Sequence, residues 1–270
     1  MKNCFTSYYL DCPLQHGRVF DVFEADNDVI QKNAAFFFVH GGGWRYGSRQ
    51  SGAHILMDEL ARRGYDCAST DYRLNAPDVF VQISDVRESL DAFIDLLIKK
   101  GRKPEIIIWG ESAGAHIASL TAYAKPGELG EDISKLKHPE IRPVKAVLQA
   151  TPYDFLHFEG MMPQTWSVFQ DIAGVPYDKE PERYEKLSLK NYIRRDNPET
   201  FFIEAEYEHM FDSRLTLKIA EEHRKMGINT QWKVYERVEH GFMHDLKRKM
   251  QIAAFEDMCL FAEGVLQTDF

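Results

Sequence analysis

The sequence predicts an α/β protein built on a mostly parallel central sheet with helices on both faces and a small inserted cap. Three observations predict it. Short continuous apolar runs alternate with longer amphipathic ones, the pattern of strands feeding helices around a buried sheet. Glycine punctuation falls where that pattern changes, at Gly64, Gly101 and Gly227. The 270 residues are 44% hydrophobic and 13% aromatic, ample for a large core, with no internal repeat, low-complexity tract or interdomain linker. One domain over residues 1–270 is the expectation.

Taken in order, residues 8–24 hold two strand-like pieces around Gln15-His16-Gly17, a hairpin on the sheet edge. Residues 34–39 are a continuous apolar run, hence a buried strand, and end at His40-Gly41-Gly42-Gly43-Trp44. Residues 51–63 predict a helix, 65–70 a second buried strand, and 83–100 a long helix stopped by Gly101. Ile106-Ile107-Ile108-Trp109 is a strand running straight into Gly110-Glu111-Ser112-Ala113-Gly114, and 113–124 is a helical stretch rich in small residues. Further strands follow at 144–150, 201–205 and 230–235, with helices at 213–226 and 243–263. Residues 153–198 break the rhythm with Pro163, Pro176, Pro181 and Pro198 among aromatics and no clean strand. Inserted between two strands, this excursion reads as a cap or lid, or else as a packed surface segment.

Composition narrows the partners. A net charge of −9 argues against nucleic acid, whose binding rests on clustered Lys and Arg. No stretch approaches the roughly 18 uninterrupted apolar residues of a membrane span, and the first residues lack the character of a leader. A soluble, cytoplasmic protein is expected. Cys4, Cys12, Cys67 and Cys259 are scattered without metal-ligand spacing, so reduced thiols are expected. Exposed hydrophobics in the last strand and helix would permit a homodimer.

The two glycine motifs carry the chemistry. Gly-x-Ser-x-Gly between a strand and a helix is a turn so sharp that it needs glycine on both sides of the serine, and it leaves the hydroxyl of Ser112 exposed. The run Gly41-Gly42-Gly43 offers backbone N–H groups free of side chains. Gly42 and Gly43, with the amide of Ala113 just after the nucleophile, form a candidate oxyanion hole. A serine hydroxyl is a poor nucleophile at neutral pH and needs a general base, itself oriented by an acid. His240, in Glu239-His240-Gly241-Phe242 after the last predicted strand, is placed to be that base. The acid belongs in Glu206-Tyr207-Glu208-His209-Met210-Phe211-Asp212. Asp212 precedes a predicted helix and has an N-capping role to explain it, which favours Glu208 and keeps Asp212 as the alternative. Trp44, Glu111 and Phe242, neighbours of these motifs, are candidate substrate contacts. His40 reads as a brace for the glycine loop and His116 as a packing residue.

These residues resemble the α/β-hydrolase superfamily, specifically the esterases and lipases related to hormone-sensitive lipase and the compact carboxylesterases close to them. The resemblance extends to Thr70-Asp71-Tyr72-Arg73-Leu74 with Ala76-Pro77, and to Ile83-Ser84-Asp85-Val86, and covers roughly residues 36–270. Two departures stand out. The family acid is usually aspartate where this chain has Glu208, and the stretch before His40 is short for the large N-terminal cap of many relatives, which implies a more open site. The resemblance implies an α/β-hydrolase fold and hydrolysis of a small ester, of short acyl chain, through an acyl-serine intermediate with no metal or organic cofactor. Two alternatives stay open: an amide-cleaving enzyme resembling kynurenine formamidase, suggested by Ala113-Gly114-Ala115-His116, and a binding protein of this fold without catalysis.

Overall fold

The structure is a computed structural model that describes residues 5–11, 17–158 and 160–269. Its strands are β1 (Phe5–Tyr9), β2 (Val19–Phe23), β3 (Ala34–Val39), β4 (Asp66–Thr70), β5 (Glu105–Glu111), β6 (Lys145–Gln149), β7 (Glu199–Tyr207) and β8 (Thr230–Glu239). They form one eight-stranded sheet in the order β1-β2-β4-β3-β5-β6-β7-β8. β1 pairs antiparallel with β2 and β2 with β4; every other pairing is parallel. The edge hairpin is therefore present, although Gln15 and His16 of its connection lie outside the described residues.

The helices are α1 (Ala53–Arg62), α2 (Val79–Lys99), α3 (Ala113–Tyr123), α4 (Pro163–Ala173), α5 (Pro181–Leu187), α6 (Ser213–Lys225) and α7 (Lys249–Ala262). Period-two alternation in the central strands sorts them onto two faces. Phe37 and Val39 of β3, with Ile106 and Ile108 of β5, face the core under α2, α3 and α6. Phe36, Phe38, Ile107 and Trp109 point the other way, into the core under α1 and α7. Continuous apolar strands are thus what a sheet covered on both sides requires, and the predicted architecture is the observed one.

Three boundaries differ from the sequence reading by four residues or more. α2 starts at Val79 because the Asp78 carboxylate caps it, accepting from the Val81 amide at 3.2 Å. β8 runs on to Glu239. The last helix begins at Lys249 and not at Met243: the Gln251 carboxamide bonds the Arg248 amide and the Phe242 carbonyl, both at 3.0 Å, so 240–248 is held as a loop. The excursion supplies α4 and α5, and buries Phe155, Phe169, Tyr184 and Leu187 in the core shared with α2 and α3. Cys67 and Cys259 are free and buried, while Cys4 and Cys12 lie outside the described residues. Among the described residues no helix is long and apolar enough to cross a membrane.

α3, which carries the serine turn at its start, is clamped at its far end by Arg87 of α2. The buried guanidinium donates to the Thr121 and Ala124 carbonyls at 3.1 and 3.4 Å and to Glu131 at 2.7 Å. Replacing Arg87 by Met strands a buried carboxylate and two helix-end carbonyls. Urea unfolding of Arg87→Met is expected to show a loss of about 3–5 kcal/mol; stability equal to that of the parent would contradict the clamp.

Candidate active site

Ser112 sits between β5 and α3 with φ 52 and ψ −122, a conformation that side chains rarely adopt. The surroundings impose it. A Cβ on Gly110 would lie 2.5 Å from the Gly114 carbonyl oxygen, and one on Gly114 would lie 2.2 Å from the Val39 carbonyl oxygen. Both glycines are required by close backbone approach. The Ser112 amide donates to the Gln149 carbonyl at 2.8 Å, and the Ser112 carbonyl accepts from the His116 amide at 3.1 Å, which starts the helix.

The register of β7 and β8 brings two loops together: Tyr207 pairs with Glu239, so Glu208 and His240 leave the sheet side by side. His240 Nε2 lies 2.7 Å from Ser112 Oγ, and His240 Nδ1 lies 2.7 Å from Glu208 Oε2. The partners set the tautomer: Nδ1–H donates to the carboxylate and Nε2 accepts from the hydroxyl. Burial pushes the Glu208 carboxyl upward, but hydrogen bonds from His240 and from the Met210 and Phe211 amides outweigh it and hold the group below its ordinary value. Asp212 is elsewhere. It caps α6, accepting from the Arg214 amide at 3.0 Å and pairing with the Arg214 guanidinium.

The glycine loop follows β3. Gly42 (φ 115), Gly43 (φ 58) and Trp44 (φ 61) form a left-handed run. A Cβ on Gly42 would fall 2.2 Å from the Tyr46 carbonyl oxygen. His40 braces the loop: its Nδ1 donates to the Gly41 carbonyl at 2.7 Å and its ring stacks on Tyr72 at 4.2 Å. Tyr72 in turn donates its hydroxyl to the His40 carbonyl at 3.0 Å. Gln82 fixes the far end through the Trp44 carbonyl at 2.8 Å. Ala113 is the first residue of α3, so its amide is one of the N–H groups left without a partner inside the helix.

Ser112, His240, Gly42 and Gly43 line one cavity of 640 Å³, walled by Met162, Val168 and Phe169 of the excursion and by Met210 and Phe211 of the loop after β7. Trp44 and Glu111 also face it. Phe242 does not. Past Gly241 the chain dives toward α7, so the Phe242 ring is buried at 5.4 Å from Tyr235 in the opposite core. Two contributors escaped the sequence reading. Gln149 is buried at the end of β6, and with its amide oxygen turned to the histidine loop it accepts from the Phe242 and Met243 amides at 3.0 and 3.1 Å. His116, expected only to pack, makes two side-chain hydrogen bonds. No local pattern announces either, because their partners are distant in sequence.

Residues 20–221 match the family described as BD-FAE. The chain is similar to the probable carboxylic ester hydrolase LipM of Mycobacterium tuberculosis, 33% identical over 66% of this chain and 42% of that protein. It is also similar to Esterase LipC of the same organism, 31% identical over 42% of this chain and 28% of that protein. It thus spans less than half the length of these curated relatives. Esterase B from Lactobacillus rhamnosis has the same fold, with a TM-score of 0.80 at 18% identity over 97% of this chain and 85% of that one. So has the Thermogutta terrifontis esterase Est2, with a TM-score of 0.70 at 20% identity over 93% and 92%.

Glu111, beside the serine, is pushed from 4.5 up to about 7 by burial, an effect eased by His240 and His244. Between these values the folded protein keeps a proton that the unfolded chain releases, so the contribution of Glu111 to stability falls as pH rises from 4.5 to about 7 and is flat above. Glu111→Gln is expected to lose this decline in unfolding titrations across that window; an unchanged pH slope would contradict the assignment.

Proposed function

The chain belongs to the BD-FAE family, with the α/β-hydrolase fold, and we propose that it is a serine carboxylesterase acting on short-chain esters of small soluble molecules in the cytoplasm. The observation that carries this reading is the unbroken hydrogen-bond chain from Ser112 through His240 to Glu208, at 2.7 Å per link, opening on a cavity that the glycine loop also faces. Similarity to proteins named as ester hydrolases supports it.

Ser112 Oγ attacks the ester carbonyl carbon while its proton passes to His240 Nε2. The tetrahedral oxyanion receives the amides of Ala113, Gly42 and Gly43. The C–O bond to the alcohol breaks, the leaving oxygen takes the proton back from His240, and the acyl group stays on Ser112. Water then attacks the acyl carbon with His240 as base, releasing the acid and restoring the hydroxyl. Glu208 stays ionised throughout and stabilises the imidazolium. The bulk of Trp44, Phe169 and Phe211 in the cavity wall supports a short acyl group.

Hydrolysis of p-nitrophenyl esters from acetate to laurate is the test. Turnover is expected to be fastest for the shortest chains, and to fall by a factor on the order of 10⁶ in Ser112→Ala. Gly42→Val should cost at least about 10²–10³ through the lost oxyanion geometry. Ester turnover that survives Ser112→Ala, or a maximum at laurate, would overturn the respective halves of the proposal.

A further inference from the structure

Around the cavity runs an arc of rings that joins the elements of the site. Trp44 meets His116 edge-on at 5.6 Å; His116 stacks on Phe155 at 4.4 Å, and Phe155 on Phe169 at 4.1 Å. Phe169 faces Phe211 at 6.4 Å, and Phe211 lies 5.6 Å from His240. His116 is the member with polar work in two directions. Trp44 Nε1–H donates to His116 Nδ1 at 3.3 Å, and His116 Nε2 lies 2.8 Å from the Leu187 carbonyl oxygen. The ring is fully buried one turn into α3.

We propose that His116 is a positioning residue: anchored through Nε2 to the Leu187 carbonyl of the excursion, it presents Nδ1 as the acceptor that fixes the Trp44 indole, and with it the end of the glycine loop, beside the cavity. The inference rests on the ester-hydrolase reading above. Trp44 occupies a left-handed backbone conformation directly after Gly42 and Gly43, and such strain persists only where the surroundings over-determine it. Gln82 holds its carbonyl and the aromatic arc holds its ring. His116 supplies the directional contact that selects one indole orientation. Only the neutral Nε2–H tautomer satisfies both partners, since an imidazolium would set two donors against each other. Burial lowers the His116 pKa to about 4, which keeps that tautomer at neutral pH.

Three variants separate the two contacts from packing. His116→Phe keeps the ring stack and loses both hydrogen bonds. His116→Asn leaves a carboxamide oxygen near the place of Nδ1, able to accept from Trp44 but too short for Leu187; His116→Gln reaches toward Leu187 and gives Trp44 no acceptor at that place. In p-nitrophenyl acetate hydrolysis, His116→Phe is expected to lower kcat about 10- to 100-fold with KM changed much less, a size in keeping with a misplaced reacting group. His116→Asn should recover most of kcat, and His116→Gln should not. The independent readout is the indole N–H signal of Trp44 in a ¹⁵N spectrum of the four tryptophans, assigned through Trp44→Phe. It should move in His116→Phe and His116→Gln and stay near the parental position in His116→Asn. Folded His116→Phe with parental kcat, or equal kcat in the Asn and Gln variants with an unmoved indole signal, would overturn the proposal. If the parent showed no Ser112-dependent turnover, the esterase reading would fail, and the indole signal would still decide whether His116 holds Trp44.

Discussion

The site depends on one steric constraint, the near-contact of α3 with the end of β3. Gly114 lies so close to the Val39 and His40 carbonyls that no side chain fits between, and Gly110 lies as close to Gly114. That approach sets the angle at which β5 turns into α3 and forces Ser112 into its unusual backbone conformation. It also brings the glycine loop after β3 alongside the first turn of α3, where the amide of Ala113 stands. The Ser112 hydroxyl and the amides of Ala113 and the glycine loop are thereby fixed relative to each other by backbone packing, the arrangement that the proposed mechanism needs if charge is to develop without reorganisation.

The parallel sheet supplies the rest of the geometry. β3, β5, β6, β7 and β8 all deliver their C-terminal ends to the same edge, which is where open α/β sheets collect ligand-binding groups. Gln149 joins two of these deliveries. Its carbonyl takes the Ser112 amide, while its side chain holds the amides that follow His240. The longer glutamate side chain lets Glu208 bond its own loop through one oxygen and His240 through the other. Asp212 lies nearer the helix and is consumed by capping.

What was legible in the sequence was what local patterns encode. The buried strands announced themselves as apolar runs, and Ser112, His240, Glu208 and the glycine loop announced themselves by residue type and by order along the chain. The preference for Glu208 over Asp212 came from a capping argument; in the structure Glu208 bonds His240 and Asp212 caps α6. The misreadings lay where distant contacts decide. Phe242 stood beside the histidine in sequence, yet the turn at Gly241 sends it to the far side of the sheet. α7 starts late because Gln251 bonds the preceding loop. Gln149 and His116 have no pattern of their own, since each is defined by partners dozens of residues away. The excursion was visible as a break in rhythm, but which of its residues wall the cavity was not.

The central claim is that Ser112 is a nucleophile activated by His240, and mass spectrometry of the intact protein after exposure to a fluorophosphonate tests it most directly. The account predicts one adduct, mapped to Ser112, absent in Ser112→Ala and formed far more slowly in His240→Ala. An intact protein that forms no adduct, or one whose adduct forms equally fast without His240, would contradict it.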